Sequence, residues 1–148
     1  METTKPISTF SWTCRHTWRR SAINTLWCLV GCSIGDFGTI FFFQMTATAW
    51  STLSIMVLAM VNGVLTSIAL ETVILSRQMS LGPAFKTACG TSLVSMLAME
   101  AAMNAVDVGV TGCAMLTFWV IPLMLLVGFL TPLPYNYWRL KAHGIACH

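Results

Sequence analysis

Residues 21–43 read SAINTLWCLVGCSIGDFGTIFFF. A single acid, Asp36, interrupts a run that is otherwise uncharged. A bilayer core of about 30 Å takes a helix of about 20 apolar residues, so this run is long enough to cross one. Three further runs have the same character, at roughly 48–75, 84–108 and 113–130. The turns between the first and second runs, and between the third and fourth, are very short, which favours antiparallel neighbours. The expected fold is all-α: one transmembrane domain over residues 1–148, an up-down four-helix bundle with short tails.

Composition agrees. The chain is 56% hydrophobic and 9% charged, against about 25% charged in a soluble domain. Net charge is +3, with no dense basic stripe, so a nucleic-acid partner is not expected. Lys5, Arg15, Arg19 and Arg20 precede the first run, Arg77 and Lys86 lie between the second and third, and Arg139 and Lys141 follow the fourth. The other two turns carry no Lys or Arg, so the positive-inside rule puts both termini and the middle loop in the cytoplasm.

The six cysteines, 14, 28, 32, 89, 113 and 147, fall mostly in apolar runs and form no CxxC. That disfavours both a secreted disulfide framework and a thioredoxin-like pair. Leu29-Val30-Gly31-Cys32 has the look of a lipoprotein cleavage box, but the apolar run continues past it, as a spanning helix would.

Cys28, Cys32 and Asp36 recur every four residues, so they form a column about 12 Å tall on one helix face. The third run is denser. In MLAMEAAMNAVD, residues 96–107, one stripe holds Met96, Met99, Glu100, Met103, Asn104 and Asp107. A carboxylate at the bilayer centre costs about 2.5–3.5 kcal/mol on insertion scales, so these acids should face the bundle interior. The second run adds Met56, Met60, Gly63, Ser67 and Glu71. The fourth adds a weaker stripe of Cys113, Thr117, Met124 and Gly128, with a kink expected at Pro122.

Buried Met and Cys are usually packing, and Cys89 and Cys113 are read that way. The carboxyls among the other sulfurs point further. Thiolate and thioether donors select soft ions such as Cu(I), and thiols release protons when they bind metal. Asp36 and Asp107 would gather a cation at the outer side. Cys28, Cys32, Met96, Met99 and Met103 would hold it, with Glu100 and Asn104 on the same wall. Glu71, His143, Cys147 and His148 would receive it at the inner side.

After Pro132 and Pro134, the expected end of the fourth helix, Tyr135, Tyr137 and Trp138 are residue types of the membrane interface. All three histidines lie outside the predicted helices, which excludes a haem held between transmembrane histidines. Neither haem nor nucleotide is expected, and no catalytic residues are assigned.

The ordered series GCSIGD, LET (70–72), TSLVSMLAMEAAMN and PYNYWRLKAHGIACH resembles an uncharacterised prokaryotic integral-membrane family, domain of unknown function 4396, over roughly residues 22–148. The matching positions are Cys32, Asp36, Glu71, Met99, Glu100, Asn104, Asp107, Tyr135, Asn136, His143, Cys147 and His148. The resemblance implies an inner (plasma) membrane location and a copper-associated context, and it supplies no mechanism.

The leading expectation is a membrane protein that binds or transports a soft metal, copper first, with lipid and the metal ion as partners. The alternatives are an accessory subunit of a larger complex, or a homo-oligomer, using Trp12, Trp18, Trp27, Trp50 and Trp119 against lipid or neighbours, and a proton-coupled carrier of a small solute.

Overall fold

In hydrocarbon every backbone N–H and C=O must be bonded within its own segment, so apolar runs of this length become helices. The computed structural model describes residues 12–142. It contains α1 (Arg15–Thr46), α2 (Thr52–Leu75), α3 (Leu81–Thr111), α4 (Val120–Leu130) and α5 (Leu133–Ala142). Among the described residues there is no strand. Four segments are long and apolar enough to cross a membrane: Arg15–Thr46, Thr52–Leu75, Ser92–Thr111 and Val120–Ala142. The all-α bundle with four spans is therefore as expected. His143, Cys147 and His148 lie outside the described residues.

The helices run up and down. Cys28 meets Ser67 and Gly35 meets Asn62, so α1 and α2 are antiparallel. Glu71 meets Ser92 and Gly63 meets Glu100, so α2 and α3 are antiparallel too. The α1–α2 seam is held by close approach. A Cβ on Gly31 would come within 2.6 Å of the Ser67 Cα, and one on Gly35 would run into the Asn62 carbonyl. Small residues of this kind let membrane helices pack backbone to backbone. Thr66 Oγ1 donates across the same seam to the Gly31 carbonyl at 2.7 Å.

Besides shifts of three or four residues at the end of α1, the start of α2 and both ends of α3, three differences from the expected helices shape the bundle. First, α1 starts at Arg15, so Arg15, Arg19 and Arg20 ride on its first turns. Second, the fourth helix begins at Val120, not 113. α3 runs on to Thr111 and stops at Gly112, whose φ of 78° suits glycine and whose N–H bonds the Val108 carbonyl. Asp107 Oδ2 then accepts the Met115 N–H at 3.0 Å, and Thr111 Oγ1 bonds Cys113. These bonds hold 113–119 as a loop, which takes Cys113 and Thr117 off the fourth helix. Pro122 falls in the first turn of α4, where no intrahelical N–H is required, so it sits without breaking a bond.

Third, the chain after Pro132 is a helix, α5, rather than a bare tail. Pro134 is its second residue. α5 is tied to α1: Asn136 Nδ2 donates to Thr25 Oγ1 at 2.8 Å, and Ser21 Oγ donates to the Leu133 carbonyl at 3.2 Å. Tyr137 is fully buried and stacks on Trp18 with ring centroids 4.3 Å apart, whereas Trp138 is exposed. Cys14 is disulfide-bonded; Cys28, Cys32, Cys89 and Cys113 are free thiols.

Candidate functional site

The α1 column and the α3 stripe meet in the bundle interior. Cys28, Cys32, Met96, Met99 and Met103 share one buried cluster with Met124 of α4, packed with Leu29, Val64 and Val120. Six sulfur-bearing side chains from three helices thus share one packed cluster. Cys28 and Cys32 stand one turn apart on the same buried face of α1. Ser67 Oγ of α2 donates to the Cys28 carbonyl at 3.2 Å and lies 3.4 Å from the Cys28 sulfur. Met103 lies over Gly128: a Cβ there would come 2.7 Å from the Met103 Sδ.

Above the thiols are the carboxyls. Glu100, Asp36, Asp107 and Asn104 are all buried. Glu100 points between α1 and α2, with its Oε1 against the bare Cα of Gly63. It faces the Cys32 thiol and the Asp36 carboxyl. Neither Glu100 oxygen has a hydrogen-bond partner among the described residues. Asn104 Nδ2 donates to Asp36 Oδ1 at 3.0 Å and to the Glu100 carbonyl at 3.1 Å. That leaves Asp36 Oδ2 and Asn104 Oδ1 without partners as well. Four buried oxygens without hydrogen-bond partners therefore lie in one polar patch beside the sulfurs. A buried acceptor left unbonded costs about 1–3 kcal/mol, so the patch suits a cation, a proton or water.

Asp107 lies one turn beyond Asn104 on α3, and Asn104 bonds Asp36, so the two outer acids flank the same amide. The Asp107 oxygens, however, are engaged by the loop: Oδ2 accepts from Met115, and Thr111 Oγ1 lies 3.5 Å from Oδ1. Asp107 thus anchors the 113–119 loop. Both Asp36 and Asp107 are fully buried rather than at a mouth.

Glu71 stands apart, toward the end of the bundle that carries Arg20 and Arg139. Ser92 Oγ of α3 donates to Glu71 Oε1 at 2.8 Å. Glu71 and Cys28 line a cavity of about 70 Å³ together with Asn24 and Trp27. Asn24, Trp27 and Glu71 also line a larger cavity of about 680 Å³, whose other walls include Arg20, Gln78, Thr87 and Arg139. The smaller cavity lies between the larger one and Cys28.

The sequence stripe on α2 divides. Gly63 and Ser67 face the cluster, whereas Met60 lines an apolar hollow with Val57, Val61 and Leu97, and Met56 is half-buried. Gly63 and Gly128, on the stripes of the second and fourth runs, and Ser92 and Arg139, which no spacing marks, also shape the site. The spacing of Gly63 and Ser67 opposite Cys28 and Cys32 was the available signal. Among the described residues, no three His, Cys, Asp or Glu side chains stand where they could jointly hold a metal ion. The soft donors in the buried cluster are two thiols plus thioethers.

No curated protein and no solved structure matches the chain. The sequence model of one family does match, over residues 17–144, and the chain accordingly belongs to the family described as Domain of unknown function (DUF4396).

Proposed function

We propose that this protein binds or transports a soft metal ion, copper(I) first, within the bilayer. The observation that carries the reading is the packing of six sulfur-bearing side chains in one buried cluster beside Glu100, whose carboxyl has no hydrogen-bond partner among the described residues. Thiolate and thioether donors favour Cu(I) over hard cations. Cys28 and Cys32 supply the thiols, and Met96, Met99, Met103 and Met124, packed around them, supply thioethers. The Glu100 carboxyl, against Cys32, offsets cation charge. The cavities at Glu71 supply the approach to Cys28. The positive-inside rule orients that end toward the cytoplasm, and peptide mapping after an impermeant amine reagent tests it. Lys86 and Lys141 stay unmodified in sealed cells if the orientation is right. The Cys14 disulfide at that end suits an oxidising compartment instead.

The deciding experiment is metal analysis of purified protein loaded with copper under reducing conditions. Bound copper in the wild type, lost in Cys28→Ser and Cys32→Ser, supports the reading; no copper in the wild type rejects it.

A second reading, an accessory subunit of a membrane complex, is favoured by Phe118 and Trp119, which are 91% and 92% exposed on the 113–119 loop. Purification at a fixed ratio with larger membrane subunits, lost in Phe118→Ser with Trp119→Ser, would select it.

A further inference from the structure

The larger cavity is walled differently from the sulfur cluster. Arg20 projects into it from α1 and Arg139 from α5, beside the apolar Ile23, Trp27, Ile74 and Leu140. Arg139 Nη1 is buried and has no hydrogen-bond partner among the described residues. A guanidinium N–H in that state is costly unless an acceptor fills the space beside it.

Two facts decide what kind of acceptor. Ile23 and Trp27 are 47% and 53% exposed, on the α1 face that the bundle leaves to lipid, so the cavity opens sideways toward the bilayer. Its charged groups stand at the end of the bundle where the basic residues gather. Arginine's planar fork matches phosphate oxygens two at a time, and the apolar wall suits a glycerol backbone and the start of an acyl chain. One opposing charge, Glu71, lines the same cavity: Ser92 bonds its Oε1, its Oε2 is buried without a hydrogen-bond partner among the described residues, and it opposes a bound phosphate.

We propose that the 680 Å³ cavity binds the phosphate headgroup of an anionic phospholipid, with Arg20 and Arg139 as its donors. The lipid enters laterally, its phosphate meets the buried face of Arg139, and its chains lie along Ile23 and Trp27. The inference is independent of the metal reading, because lipid retention is measured without metal.

The test uses protein purified in neutral detergent and titrated with phosphatidylglycerol, phosphatidylcholine or glycerol phosphate, with retained ligand read by native mass spectrometry. One phosphatidylglycerol per chain is expected, in preference to phosphatidylcholine. Arg139→Gln and Arg20→Gln should each weaken it by about tenfold, the scale of a lost charge-assisted bond. Glu71→Gln should bind as well as the wild type or better. Equal retention of the two phospholipids, or unchanged retention in the arginine variants, overturns the proposal. Glycerol phosphate binding as tightly as the lipid, and competing with it, overturns the lipid assignment in favour of a soluble phosphate. If Arg139→Gln does not fold, Arg20→Gln, altered at an exposed position on α1, decides.

Discussion

The carboxyl of Glu100 on α3 occupies the notch that Gly63 leaves on α2, with Oε1 directly against the glycine Cα. An acid from one helix thus reaches into the seam between the other two, and only the absence of a side chain makes room for it. Gly63 and Glu100 therefore act as a pair.

Gly63→Ala should displace Glu100 and destabilise the bundle by about 1–3 kcal/mol, the usual cost of overpacking. Gly90→Ala is the control. A Cβ there meets nothing within 4 Å, and removing a mid-helix glycine should add about 0.5–1 kcal/mol. Thermal unfolding in detergent, followed by tryptophan fluorescence, checks both. Equal effects of the two changes would contradict the pairing.

Asn104→Ala removes the amide that bonds Asp36 and should cost about 1–3 kcal/mol, since it leaves another buried oxygen without a partner. Asp36→Asn keeps shape and acceptor and should cost less. The double variant Asp36→Asn with Asn104→Ala should be milder than the sum of the singles, as expected for residues in contact. Strict additivity in a double-mutant cycle would show that the pair is not coupled.

Met99, Met103 and Met124 changed together to leucine should leave unfolding within about 1.5 kcal/mol per site, because the volume is nearly conserved. Copper affinity measured against a competing chelator should fall. Unchanged affinity would mean that the thioethers only pack.

Asp107→Ala should loosen the loop rather than the bundle. Met115 loses its acceptor, so amide exchange at Met115 and its neighbours should rise while α1 and α2 keep their protection. Local opening of this kind is read directly by hydrogen exchange. Protection lost throughout would assign Asp107 to the core instead.

The four spans were legible because apolar length is a strong signal and each run carries few charges. The α1 column and the α3 stripe were legible by spacing of three and four, and the structure brings them together with Asp36 on Asn104 and Cys32 by Glu100. The start of α4 was not legible: Leu116, Phe118 and Trp119 extend the apolar run, and only the tertiary bonds from Asp107 and Thr111 hold that stretch as a loop. Two prolines hid α5, since they read as breakers when one of them in fact sits in a first turn. Met60 shares the spacing of Gly63 and Ser67 yet faces outward, because periodicity fixes a face only to within a fraction of a turn. Arg139 read as a topology marker, and its role as a cavity wall depends on α5 folding back onto α1.

α4 has 11 residues, about 16 Å of helix, roughly half of a hydrocarbon core of about 30 Å. By itself it is too short to hold a stable position across a bilayer. Its depth is set by its neighbours, Met103 over Gly128 on one side and the α5 clamp on α1 at its far end. The fourth span is therefore completed by α5, which Asn136 and Tyr137 hold against α1. Substitutions at Thr25 or Ser21, far from α4 in sequence, should thus appear first as failures of membrane insertion of the C-terminal segment.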